Sequence, residues 1–277
     1  MKKIHLLLFA LLFTTFSFAQ KKEKIKGSKV VTVAQKEIGD FESVEIEDNI
    51  EIFLAKGGAQ SLEIEADDNL HEEIKAELNG ITLRLYTAKT VTGAKKLSVR
   101  ITYTDNLKSI TTKNEVVLNS LTELQLENIT IKTLDYSKSY LNVKSGNFTL
   151  IMNDKTTAEV NLQAESTSIE LSKSAQLKAL IASPEVKIDM YQKTIAVVEG
   201  DAANAKIRLD NNAAFTGRKF SVKNMELITE SYTTNSVNAL ETISISATGK
   251  SQTQLLGTPK VTMLNFADSA ILYKKEQ

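Results

Sequence analysis

Broken every 19 residues, positions 141–209 read LNVKSGNFTLIMNDKTTAE, VNLQAESTSIELSKSAQLK, ALIASPEVKIDMYQKTIAV and VEGDAANAKIRL. Set one under another, the blocks align by residue type. Leu150, Ile169, Ile188 and Ile207 share a column, as do Met152, Leu171, Met190 and Leu209. Val143, Leu162 and Ile181 form a third column, which meets Gly200 at the next step. Leu141, Val160, Ala179 and Val198 form a fourth. Within each block apolar and polar residues alternate, as in Val160-Asn161-Leu162 and Ile169-Glu170-Leu171. Alternation with period two marks strands that bury one face. A fixed step near 20 residues marks a solenoid, because one coil cannot bury its apolar side until the next stacks on it. The expected fold is therefore all-β, a single-stranded parallel β-helix with a coil of roughly 19 residues. Crossover preferences favour the right hand. Strands about 4.8 Å apart would turn each column into an aliphatic ladder inside the coil.

The pattern extends outward from this stretch. Stepping back 19 from Val143 and Leu150 reaches Leu124 and Ile131, and Ile110, Ile129 and Phe148 keep the same step. Forward, Asp210-Asn211-Asn212 reads as a turn and Phe215 to Phe220 as an insertion. Ile243 and Ile245 then meet Val261 and Met263 at a step of 18. Toward the N-terminus the chain is strand-rich without a fixed step. Val44, Ile46, Ile50, Ile52 and Leu54 alternate with acids, interrupted at Asp48-Asn49, and Lys56-Gly57-Gly58 closes the run as a turn. Leu62 and Ile64 mark the next strand. Asp68 or Asn69 is placed to cap a short helix through Ile74, with Glu72 and Glu73 in its first turn. Asn79-Gly80 is a hairpin signal before a strand beginning Ile81, Leu83, Leu85, and Leu97 to Tyr103 is another strand.

Phe41 to Leu54, Leu62 to Leu70 and Leu78 to Leu83 carry a family resemblance. In that order they are similar to the putative auto-transporter adhesin, head GIN domain family. The resemblance runs from about Val30 to Lys260 and is most specific over Phe41 to Leu83. It implies an exported, strand-rich solenoid. The family's frequent Gly-Ser-Gly-Asp turns are replaced here by Lys144-Ser145-Gly146-Asn147, Ala164-Glu165-Ser166-Thr167 and Ser183-Pro184-Glu185.

The first residues read as an address. Lys2 and Lys3 precede an apolar run from Leu6 to Phe18, and Ser17-Phe18-Ala19 offers small residues for cleavage after Ala19. This is the pattern of a secretory signal peptide over residues 1–19. The run is short for a membrane span, which needs about 20 apolar residues. Residues 20–29 form a Lys-rich leader, read as a mobile tail. Residues 30–270 form the solenoid domain, and 271–277 a polar end whose Lys274-Lys275-Glu276 suits the blunting of a last strand edge. Such a protein would sit in the periplasm, at the outer membrane or on the cell surface. With 34 basic and 34 acidic residues and no Cys, the chain offers neither a basic footprint for nucleic acid nor disulfides nor thiolate metal sites.

A search for chemistry yields little. His5 falls within the signal peptide, leaving His71 as the one His of the mature chain. It lies among Glu residues with no Gly-x-Ser-x-Gly elbow to serve and no second ligand to share a zinc ion. Asp67-Asp68-Asn69 and Glu47-Asp48-Asn49 are oxygen-rich, but lack the spacing of a calcium loop and read as caps and turns. Tyr136, Tyr140, Tyr191 and Tyr232 keep no common step and read as scattered surface residues. In the outward columns, Glu170, Asp189 and Arg208 fall in register. That is either an acid/base pair of the kind used by polysaccharide lyases and hydrolases, or a solvated face of offset charges. The sequence therefore predicts no catalytic, cofactor or metal site. It predicts a non-enzymatic adhesin or envelope scaffold with an extended surface for a glycan or protein partner. The alternative is a carbohydrate-active enzyme on the same scaffold.

Overall fold

The structure, a computed structural model, describes residues 22–276. The expected signal peptide and its cleavage point lie outside the described residues. The structure is 68% strand with essentially no helix, wound as a β-solenoid of about nine turns with a coil spacing of ~19 residues.

Each regular coil has two long sides and two unlike corners. The strand Thr157–Leu171 shows how one is made. Its inward residues alternate through Ala158, Val160, Leu162 and Ala164, and then resume at Thr167, Ile169 and Leu171. The two exposed residues between, Glu165 and Ser166, break the alternation and carry the strand around the first corner without ending it. The second corner is a tight turn in the left-handed region. It recurs at Asp135-Tyr136, Lys173-Ser174, Gln192-Lys193 and Asn211-Asn212, all with positive φ. Two polar residues in that conformation at a regular interval reverse the chain, and Asn and Asp tolerate it best.

The parallel register follows the 19-residue columns. Leu150 pairs with Ile169, Ile169 with Ile188 and Ile188 with Ile207, and all four are buried. Leu124 meets Val143 and Ile131 meets Leu150, as the backward extension predicts. The extension fails one coil earlier. Ile110 pairs with Ile131, not Ile129, because the turn between these coils is two residues longer. Phe215 to Phe220 lies within one strand, Ala214–Thr229. The extra length is absorbed by register shifts, one after Val197 and another between Gly217 and Ser221. Gly200 breaks its apolar column for a local reason. Its φ is 109°, and a Cβ there would lie 2.0 Å from the Ile181 carbonyl oxygen. Phe220 of the next coil, fully buried, stands opposite it.

At the N-terminal end, sequence order and stacking order part. Ser43–Ile46 lies between Thr82–Thr87 and Ser109–Thr112, and Glu51–Lys56 lies between Leu97–Tyr103 and Val117–Ser120. The first coil in sequence is thus covered by a later one. That end coil is closed in turn by antiparallel strands. Ser61–Asp67 pairs with Leu97–Tyr103, Val31–Glu37 adds outside it, and Ile74–Asn79 pairs with Thr82–Thr87. Gly80, with positive φ, makes the expected hairpin turn. Ile81 sits exposed in that turn instead of starting the strand.

Three local expectations change. The short helix is one 3-10 turn, Asp68–Leu70, with no side-chain cap, and Glu72 and Glu73 follow it. Asp67 explains the missing cap. Its buried carboxylate instead accepts the backbone N–H groups of Lys29, Lys95 and Lys96. Within the leader, Lys24–Lys26 pairs with Thr90–Thr92, so this part is fixed to the body and is not a free tail. At the other end Ile271–Lys274, expected within a polar terminus, is the last strand of the solenoid.

Candidate binding face

The outward columns are where chemistry can be presented. On the long side that starts at the exposed-pair corner, one column runs Ser166, Glu185, Asn204, Asn224, Thr242 in successive strands. Its side chains bond along the stack. Asn204 Nδ2 donates to Glu185 Oε1 at 2.6 Å, and Asn224 Nδ2 to Asn204 Oδ1 at 3.3 Å. Thr242 Oγ1 donates to Asn224 Oδ1 at 2.8 Å. Asn147 to Asn128, at 2.8 Å, continues the same column through the two coils before Ser166. Beside it runs a second column, Ser168, Lys187, Lys206, Glu226, Ser244, Thr262.

Between these columns lies an open groove of about 630 Å³. It crosses six strands, so it is about 24 Å long at the usual strand spacing. Its charges offset one another: Glu185 and Glu226 stand with Lys187 and Lys206, and Lys206 Nζ lies 2.8 Å from Glu226 Oε1. Its floor is small or apolar, with Thr167, Val186, Ala205 and Met225.

Glu170, Asp189 and Arg208 do fall in register on adjacent coils. Two of them have ionic partners elsewhere. Asp189 pairs with Lys187 at 2.7 Å, and Arg208 with Glu230 at 3.3 Å. The hydrogen bond that the Lys187 ammonium donates to the Asp189 carboxylate raises it above its ordinary pKa. Tyr191 is also raised, chiefly by burial and then by the Asp189 charge. A carboxylate held by a lysine on its own strand is ill placed to act as a general base, which needs a free lone pair aimed at a substrate proton. Among the described residues no three His, Asp or Glu side chains are grouped to hold a metal ion.

The remaining candidates take structural positions. His71 Nε2 lies 2.8 Å from Thr32 Oγ1 in the end cap. Asp48 receives Lys22 Nζ at 2.6 Å and the Thr87 amide at 2.9 Å, and Glu47 pairs with Arg84. Tyr136 and Tyr232 occupy equivalent places on the left-handed corner, each beneath a lysine of the next coil, Lys155 and Lys250. Tyr140 lies on the opposite long side, where it edges a hollow of about 250 Å³ with Leu177, Ile195 and Val197.

Sequence reasoning missed the amide ladder, although its signal was present. Asn128 and Asn147, and Asn142 and Asn161, are 19 apart, and Asn204 and Asn224 are 20 apart. Following the polar columns as closely as the apolar ones would have found it.

The model of the putative auto-transporter adhesin, head GIN domain family matches residues 40–259. No curated protein matches in sequence. Solved structures share the fold at low identity. A putative adhesin from Parabacteroides merdae is 14% identical with a TM-score of 0.65, over 92% of this chain and 99% of that one. A putative adhesin from Parabacteroides distasonis is 15% identical with a TM-score of 0.66, over 91% and 100%. A putative lipid binding protein from the same organism is 14% identical with a TM-score of 0.63, also over 91% and 100%.

Proposed function

The chain belongs to the putative auto-transporter adhesin, head GIN domain family, and from that premise we propose that it is an exported, non-enzymatic binding module holding an extended, uncharged or charge-balanced glycan along the groove between its two polar columns. The observation that carries this reading is the ladder Glu185–Asn204–Asn224–Thr242. It sets amide and hydroxyl groups at one fixed spacing along a rigid axis, and their unused donors and acceptors point to solvent. A polymer with hydroxyls at a regular interval can match such a row. The balance of Glu185 and Glu226 against Lys187 and Lys206 disfavours a polyanion.

Export is supported by the leader sequence, with the periplasm, the outer membrane or the cell surface as the destination. N-terminal sequencing of protein recovered from its native host should begin at Gln20. The binding reading is tested by a glycan array followed by calorimetry. Wild-type protein should retain a neutral or zwitterionic polysaccharide. Asn204→Ala with Asn224→Ala should weaken it about tenfold or more at unchanged melting temperature. Equal binding by both proteins, or no glycan retained by either, overturns the proposal.

The register of Glu170, Asp189 and Arg208 supports one rival, cleavage of an acidic polysaccharide on the same scaffold. Assays for new reducing ends and unsaturated products address it. Product formation abolished by Asp189→Asn would displace the binding reading.

A further inference from the structure

The two ends of the solenoid are finished differently, and the C-terminal end is left open. Among the described residues, Lys260–Phe266 and Ile271–Lys274 pair on one side only, with the strands Thr234–Ala247 and Gln252–Leu256. The inward columns run straight out of this end. Ile243, Ile245 and Ala247 are buried, while their partners in the last coil, Val261, Met263 and Phe266, are 41%, 45% and 45% exposed. Leu264 is 65% exposed, and on the other strand of the last coil Ile271 and Tyr273 are exposed as well. A solenoid normally ends in a repeat with a polar outer face. An exposed strand edge is normally blunted by charge, proline or a covering element. Here the middle of the edge, Val261 to Phe266, has a β-bulge at Leu264 but no charged residue and no proline.

We propose that two copies of this chain meet at this end across a two-fold axis, with Lys260–Phe266 pairing antiparallel to the same strand of the second copy. The order of side chains along the strand selects this occupant. Leu264 is an extra residue at a β-bulge, because Ile245 pairs with Met263 and Ser246 with Asn265. With the axis at this bulge, Val261 faces Phe266 of the second copy and Thr262 faces Asn265, each pair on one face of the sheet, and Met263 meets Leu264. Apolar residues then oppose apolar ones and polar oppose polar, which is the pairing a sheet favours. Lys260 meets the Ala267-Asp268 turn of the second copy, so a positive and a negative charge are brought together twice. The formal net charge is zero, so no long-range repulsion opposes the approach of two copies. The contact uses the same surface on both partners and closes at two, whereas stacking an open end on a capped end would continue into a fibre.

Sedimentation velocity across a range of concentrations, with two sets of variants, tests the proposal. Wild-type protein should be dimeric. Leu264→Lys changes a side chain that is mostly in solvent, so it should leave the melting curve intact. It should weaken the dimer about 100-fold or more by setting a charge against Met263 twice. The chain has no Cys, so register can be read by cross-linking. A mixture of Val261→Cys and Phe266→Cys proteins should form a disulfide between the two variants, and neither variant should do so alone. A wild-type protein that stays monomeric at every concentration overturns the proposal, including the case where an unrelated extended peptide binds the open edge instead. So does a dimer that survives Leu264→Lys, or a cross-link that forms within one variant and not between the two.

Discussion

The capped end and the open end of this solenoid solve the same problem in opposite ways. Both present a coil with one face unstacked. At the N-terminal end the chain leaves its first coil, adds a later coil outside it, and closes that coil with antiparallel strands. The closure is pinned by part-buried polar bonds, above all Asp67 on three backbone amides and Lys22 on Asp48 and the Thr87 carbonyl. At the C-terminal end the last described coil is paired on one side only, with its inward residues in solvent. The lesson is that a parallel stack is closed by strands that run against it. An end without them is an edge available for pairing.

The largest effects should come from the stack between the two ends. Ile188 is fully buried between Ile169 and Ile207 of the adjacent coils. Ile188→Asp places an unpaired charge there and should cost about 4 kcal/mol or more, removing the cooperative thermal transition. An unchanged melting temperature would break the claim that the middle of the stack bears more than either end. Gly200 is the next test. Gly200→Val forces a Cβ against the Ile181 carbonyl in a backbone conformation that β-branched residues avoid, and should cost about 3 kcal/mol by chemical denaturation. Replacement of Gly58, whose Cβ position is open, should cost far less and serves as the control.

The capped end should respond to pH. Burial pushes the Asp67 carboxyl up, but the amides of Lys96, Lys29 and Lys95 outweigh it and hold the pKa below the ordinary carboxylate value. A carboxyl lowered on folding stabilises the protein above its unfolded pKa, roughly 3.9, and that stabilisation is lost as pH falls through the folded value. Asp67→Asn should lower the melting temperature at neutral pH and reduce its fall below about pH 4. If wild type and variant lose stability in parallel on acidification, Asp67 is not the group that closes this end.

The regular stack was legible because its information is local and repeated. Once Leu150, Ile169, Ile188 and Ile207 share a column, the register of four coils follows. The cap was not legible, because its order depends on non-local pairing. Nothing in Val44 to Leu54 says that Leu83 to Tyr103 will lie on one side of it and Ile110 to Leu118 on the other. Asp67 was misread for a related reason. Its acids and Asn look like a helix cap, yet the donors it satisfies come from Lys29 and Lys95-Lys96, far away in sequence. The register of Glu170, Asp189 and Arg208 was foreseen. The ion pairs that engage two of them arise from Lys187 on the same strand and Glu230 at the end of the next coil, which column alignment does not reveal.

The smallest expected effect bears most directly on the difference between the ends. Ile245 and Met263 occupy one inward column on adjacent coils, the first sealed and the second half in water. Removing a sealed aliphatic side chain forfeits its transfer energy and leaves a cavity, so Ile245→Ala should cost about 2–5 kcal/mol. Met263→Ala leaves no enclosed cavity, because water already reaches the site, and at low protein concentration should cost less than about 1 kcal/mol. At high concentration the two-fold contact covers Met263, and the same substitution should cost more. The melting temperature of Met263→Ala relative to wild type should therefore fall further as concentration rises, while that of Ile245→Ala should keep a constant offset. An Met263→Ala offset independent of concentration would mean that the open end stays open, and that the contrast between the ends is one of exposure alone.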